Sequence, residues 1–238
     1  MKLQQHLSIR RILVLVSLLF LLLPVGGIYF LRIYESALIR QTESELISQG
    51  AFVAALFQHE VRHLLAEKHM DPTHYGMPLP VQNRLQNGVN PILPRLDLSR
   101  DRVYPARPKP LYTKDTLDPL ANVAGRQIIP VLKEGQRMTL SGIKILDYQG
   151  LVTASEEERG LSFSHAEEFQ HAKLGVPISL LRQRRMPVTQ ASPNSVSRNS
   201  NINVFVALPV ILEDRLIGVV WLNRTPIDLS QALSLIHI

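Results

Sequence analysis

Twenty consecutive uncharged residues, beginning at Ile12 and ending at Leu31, lie between the Arg10-Arg11 pair and Arg32, and fifteen of them are Ile, Leu, Val or Phe. At about 1.5 Å per residue such a run spans the roughly 30 Å hydrocarbon layer of a bilayer. At about −0.3 to −0.6 kcal/mol for each apolar residue near the bilayer centre, the fifteen together favour insertion by about 5 to 9 kcal/mol before Ser17, Pro24, Gly26 and Gly27 subtract their share. A cleaved signal peptide is the competing reading, since Val25-Gly26-Gly27 offers a small-residue cleavage site. The apolar run continues past that site to Leu31, beyond the usual h-region of about 7 to 15 residues, so an anchor is preferred.

Orientation follows from basic charge. Lys2, Arg10 and Arg11 precede the run without an acid, whereas Arg32 and Arg40 are mixed with Glu35, Glu43 and Glu45 beyond it. The positive-inside rule therefore predicts a cytoplasmic N-terminus at 1–11, a transmembrane helix at 12–31 and an extracytoplasmic portion at 32–228. That portion has the length of one ordinary domain. With no cysteine, there is no disulfide framework, thiol nucleophile or Cys-based zinc site; this suits an oxidising compartment. The net charge of +6 is spread along the chain, and its densest outer cluster, Arg182, Arg184 and Arg185, reads as a solvated loop and not as a nucleic-acid surface.

Residues 34–68 contain no proline and one glycine, Gly50, with apolar residues at Ile39, Leu46 and Val53 and at Leu38, Phe52 and Leu56. The spacing predicts a helix continuing out of the membrane. Ile39, Leu46 and Val53 stand seven apart, as needed either for a dimer seam with a second copy or for packing on the chain's own domain. Ten of the sixteen prolines fall in 71–130, so an extended wrapping segment without long helices is expected there. Over 137–222 the pattern becomes strand-like: a hairpin at 142–154, a short helix at 164–173 stopped by Gly175 and Pro177, a polar loop at 191–201, and a hairpin of 203–212 with 215–222 turned at Glu213-Asp214. Residues 229–238 read as the start of a helix returning to the membrane. The fold class expected is α+β, an antiparallel sheet backed by the long helix.

One catalytic string occurs. His59-Glu60-Val61-Arg62-His63 satisfies H-E-x-x-H, and His69 extends it toward the metzincin spacing with Ala66 in the glycine position. On a helix His59 and His63 share a face and could hold zinc with Glu60 as general base. Only 27 residues separate Leu31 from His59, too few for the sheet that precedes such helices, and Ala66 lets the helix run on and carry His69 away. An ordinary polar helix face is preferred, with no metal or cofactor assigned. The same pair, His59 and His63, is a candidate pH-responsive element, because protonating both places like charges one turn apart. Tyr148, Arg126 and Arg182 are conceivable ligand contacts that no spacing specifies.

The hairpin at 142–154, the helix with Glu167-Glu168 and Gly175, and the closing strands Val204-Phe205-Val206-Ala207-Leu208-Pro209 and Leu216-Ile217-Gly218-Val219-Val220 resemble the Cache or PAS-like sensor modules of bacterial receptors. Closer likeness lies in Tyr34-Glu35-Ser36-Ala37-Leu38-Ile39-Arg40-Gln41-Thr42-Glu43, in Leu96-Asp97-Leu98 through Pro105-Ala106-Arg107-Pro108, and in Asn223-Arg224-Thr225-Pro226. These resemble the input region of membrane-bound two-component sensor histidine kinases, in the subgroup sensing envelope or acid stress. The resemblance implies a periplasmic sensor domain held in the bacterial inner membrane, a homodimer, a cognate response regulator, and ATP and magnesium in a kinase region beyond this sequence. His237 is not a phospho-acceptor, since it stands where a second span should begin, and the ending at Ile238 suggests a truncated reading frame. The alternatives are the input domain of a chemoreceptor or diguanylate cyclase, a membrane-anchored metallopeptidase, and a tethered binding protein.

Overall fold

The computed structural model describes residues 9–81, 91–155, 157–184 and 202–226. The loop expected at 191–201, Arg185, and the returning helix expected at 229–238 with His237 lie outside the described residues.

Helix α1, Ile9–Glu67, is a single uninterrupted helix of 59 residues, about 90 Å long at 1.5 Å per residue. Its two ends live in different surroundings. Leu13, Phe20, Leu23 and Phe30 are all exposed, and an 18-residue window of the helix has a mean hydropathy of 2.6. This is one helix long and apolar enough to cross a membrane. From Ile39 onward a different stripe, Ile39, Leu46, Phe57, Val61 and Leu65, is fully buried. Ile39 and Leu46 are thus spent on the chain's own core, and Val53 is half-buried beside them. Gly50 permits the close approach, since a Cβ there would stand 2.6 Å from Leu208 Cδ1 and 2.8 Å from Leu222 Cδ1.

The sheet contains β1 (Met77–Pro78), β2 (Val103–Tyr104), β3 (Gly142–Asp147), β4 (Val152–Ala154), β5 (Ile178–Gln183), β6 (Ile202–Leu212) and β7 (Arg215–Arg224). Their order is β2-β5-β6-β7-β3-β4, with β1 extending the β3 side of β7 at Leu216 and Arg215. The expected antiparallel sheet is corrected to a mixed one, because Val103–Tyr104 joins the edge parallel to β5. All other pairings are antiparallel, and the β6–β7 hairpin turns at Glu213 and Asp214, both at positive φ.

The expectation that prolines exclude long helices before residue 130 is also corrected. Helix α2, Pro119–Thr139, runs 21 residues. Pro119 occupies the first helical position, where its missing N–H is not needed. Asp118 caps that end by accepting the Ala121 amide at 2.8 Å. Pro130 forfeits only the bond to the Arg126 carbonyl. A buried stripe one turn apart, Leu120, Ala124, Ile128 and Leu132, offsets this cost by packing on α1 and on β3 and β4.

Two cores result, one on each face of the sheet. The first joins α1 and α2 to Ile143, Ile145, Val204, Val206, Leu208, Val220 and Leu222. The second gathers Leu146, Phe163, Phe205, Ala207, Val219 and Trp221 under the short helix α3, Glu167–Ala172. Alternation along each strand divides them: Ile143 and Ile145 enter the first, Leu146 the second.

Candidate functional site

The structure separates the histidine string. His59 and His63 lie one turn apart on α1 with both side chains exposed, but the helix does not continue through Ala66 as far as His69. It ends at Glu67, and His69 takes a left-handed conformation with φ 52°. The His69 amide bonds the Ala66 carbonyl at 3.1 Å and the Met70 amide bonds the Leu65 carbonyl at 2.9 Å. These two bonds are a Schellman ending, in which the αL residue turns the chain off the helix. His69 is therefore a helix-terminating residue, and among the described residues no group of three His, Cys, Asp or Glu is placed to hold a metal.

The three conceivable ligand contacts are not brought together. Arg126 is exposed on the outer face of α2. Tyr148 stands at the β3–β4 turn and donates to Asp118 Oδ2 at 3.2 Å. Arg182 lies beside the second core, where its side chain is 6% exposed and that of Glu168 is fully buried. It grips Glu168 with two bonds, Nε to Oε1 at 2.6 Å and Nη2 to Oε2 at 2.7 Å. A third runs from Nη1 to the Pro105 carbonyl at 3.1 Å, while the guanidinium carbon lies 5.7 Å from the Tyr104 ring centroid and 5.9 Å from that of Phe205. One side chain thus fastens β5, α3 and the segment after β2.

A second charged group on the same face was missed from sequence. Glu158 receives Arg107 through Nη2 at 2.7 Å and Nη1 at 3.2 Å, and it also receives the Lys144 ammonium. Arg107 and Lys144 both lie over the Phe163 ring, at 5.1 and 5.6 Å from its centroid. Phe163 meets Trp221 edge to face at 4.8 Å. Burial, and then the neighbouring Arg107 charge, push the Lys144 ammonium down to about 8, against an opposing pull from Glu157. Trp221, paired across the ladder with Lys144, keeps a buried indole N–H without an acceptor. Three cations and two carboxylates therefore surround an aromatic floor with a spare donor. The signal was present in Lys144 itself, a charge at an inward position of an alternating strand shared with Leu146.

A third cluster joins element ends. Asp118 accepts the Tyr75 hydroxyl at 2.6 Å as well as Tyr148, and its own amide approaches Asp147 Oδ2 at 3.4 Å. Burial raises the Asp147 carboxyl above its ordinary value, opposed by bonds from the Leu151, Asp118 and Gln149 amides. Burial likewise pushes Tyr148 up to about 12 and Tyr75 higher still, with Asp118 reinforcing both. The chain leaving α1, the start of α2 and the β3–β4 turn meet at this one carboxylate.

The proline-rich segment is fastened to α1 by Ser36, Arg40 and Glu43, on successive turns of the helix. Ser36 Oγ donates to Asp97 Oδ1 at 3.0 Å, Arg40 pairs with Asp97 at 3.6 Å, and Glu43 Oε2 accepts the Arg95 and Leu96 amides at 2.8 Å each. Asp97 is held at about 2, chiefly by the Ser99 hydroxyl and amide. Because this folded value lies below the ordinary 3.8, its stabilisation is complete above pH 3.8 and is lost as pH falls through about 2. Asp97→Asn should accordingly flatten the stability profile between those values, measured by denaturant unfolding across pH. An unaltered slope there would assign the acid sensitivity to other carboxylates.

Neither a family model nor a curated protein matches the chain.

Proposed function

We propose that the chain is the signal-sensing input portion of a membrane-bound two-component sensor histidine kinase, anchored in a bacterial inner membrane with its sheet domain in the periplasm. The supporting observation is the continuity of α1, one helix whose first part is apolar and exposed while its last part is buried in one of the two cores of the sheet domain. A rigid rod shared between bilayer and domain passes a displacement from one to the other without an intervening joint. The antiparallel path β4-β3-β7-β6-β5, with the first and last long strands side by side, supports the PAS- or Cache-like reading.

The exit from the sheet is tied to the same rod. Arg224, the last residue of β7, donates to Glu45 Oε2 at 2.6 Å. Glu45 lies about 20 Å along the helix from Leu31 at 1.5 Å per residue. The stimulus would favour one of two packings of α1 on the sheet, and a shift of α1 relative to the chain leaving Arg224 would set the kinase.

Two measurements test this. The cysteine-free chain allows Tyr112→Cys, at an exposed position, to be labelled in intact cells by a membrane-impermeant maleimide. Labelling from outside is expected, and labelling only after lysis would overturn the topology. Grafting the chain ahead of the relay and kinase of a characterised sensor should then give a kinase whose autophosphorylation changes on Arg224→Ala. A graft indifferent to that change would refute the coupling.

A further inference from the structure

Glu43 is buried, yet among the described residues no cation pairs with it. Both of its hydrogen bonds fall on Oε2, from the Arg95 and Leu96 amides, which leaves Oε1 without a bond, and the residue lines a cleft between α1 and the proline-rich segment. A buried carboxylate without a cation is costly unless something positive reaches it. The cleft has a volume of about 390 Å³ and presents a mixed surface, polar around Glu43, Arg95, Asp101 and Ser179 and apolar at Ile92, Leu93, Val176, Pro177 and Leu208. Its charged residues are Glu43, Asp101 and Arg95, one negative charge in excess.

The cleft does not stop there. Ile92, Pro177 and Leu208 also line a neighbouring groove of about 420 Å³ that runs along α1 past Ala51, Ala54 and Ala55 to Gln58. The alanines leave room beside the helix, and Leu93 and Val176 stand partly exposed at the rim. A buried acid in a mixed cleft that opens into a mainly apolar groove selects a particular chemistry: a positive head with an apolar body behind it.

The geometry points to a binding site for a small organic ammonium carrying an apolar tail, its head at Glu43 and its tail along Ile92, Leu93, Val176 and Leu208. Such a ligand would sit between α1 and the segments it touches, Ile92 to Leu96 and β5, and would fasten them together. The site goes beyond the proposed function, and its test reads binding alone, so a failure here leaves the sensor reading standing and the converse also holds.

The test uses the full chain in lipid nanodiscs and calorimetric titration with n-pentylammonium, with pentan-1-ol and pentanoate as neutral and anionic controls and empty nanodiscs as the blank. The ammonium should bind about tenfold or more tighter than the alcohol, the difference expected of a charge-assisted contact, and pentanoate should not bind. Glu43→Gln keeps an oxygen for the two backbone amides and removes the charge, so it should reduce the ammonium to the level of the alcohol. Val176→Lys, at the partly exposed rim, should weaken the ammonium by repulsion without touching Glu43. Equal binding of ammonium and alcohol, full affinity in both variants, or saturation by a lysine-rich peptide where pentylammonium fails, would each overturn the proposal.

Discussion

Replacing Glu168 by alanine should cost the domain about 3 to 5 kcal/mol, the loss expected when one member of a buried ion pair is removed and the other is left uncompensated. Among the described residues Arg182 would then keep only the Pro105 carbonyl as a hydrogen-bond partner, in a setting where its side chain is 6% exposed. Against a typical domain stability of about 5 to 15 kcal/mol, that leaves little margin at 37 °C. The same physics predicts the rescue. A Glu168→Leu, Arg182→Met pair removes both charges, and should recover most of the loss because desolvating two ions is no longer required. A double-mutant cycle in denaturant unfolding measures both statements at once. A single-mutant cost under about 1 kcal/mol would mean the pair behaves like an exposed surface bridge.

That pair also shows where sequence reasoning reached its limit. The cluster of Arg182, Arg184 and Arg185 reads in sequence as a solvated loop, whereas Arg182 lies buried on β5; its partner Glu168 stands 14 positions away on another element, and no local pattern joins them. Helix α1 was legible because its signal is local and repeated: no proline over 34–68, and buried residues returning at helical spacing. The two long hairpins were legible for the same reason, through alternation and turn residues. Helix α2 was hidden by reading Pro119 and Pro130 as breakers, when the stripe Leu120, Ala124, Ile128 and Leu132 already carried a helical period. The strands β1 and β2 had no legible signal, since two-residue edges exist only through partners more than 70 residues distant. Glu43 was read only as a counter-charge flanking the membrane run, and its burial against Arg95 and Leu96 depends on how the proline-rich segment folds back.

Phe57→Ala should be the other severe substitution, costing about 3 to 5 kcal/mol through lost transfer energy and the cavity left behind. Its ring is fully buried where α1 crosses β7, and the crossing works because residue 218 is glycine. A Cβ at Gly218 would stand 2.8 Å from Phe57 Cε1 and 2.7 Å from the Leu146 carbonyl oxygen, so Gly218→Ala should cost about 1 to 3 kcal/mol from the opposite direction, by overfilling. The two effects differ in what they release. Overfilling meets the β3 backbone as well as the ring and strains the sheet, whereas Phe57→Ala frees only the helix. Amide exchange should therefore rise across residues 50–67 of α1 in Phe57→Ala before it rises in β6 and β7, because the helix end opens as a unit while the sheet retains its second core. Phe57→Leu should fall between wild type and alanine in both stability and exchange. If α1 and β7 lose protection together in Phe57→Ala, the helix has no motion separate from the sheet, and a displacement of α1 against the sheet cannot be the transmitted signal.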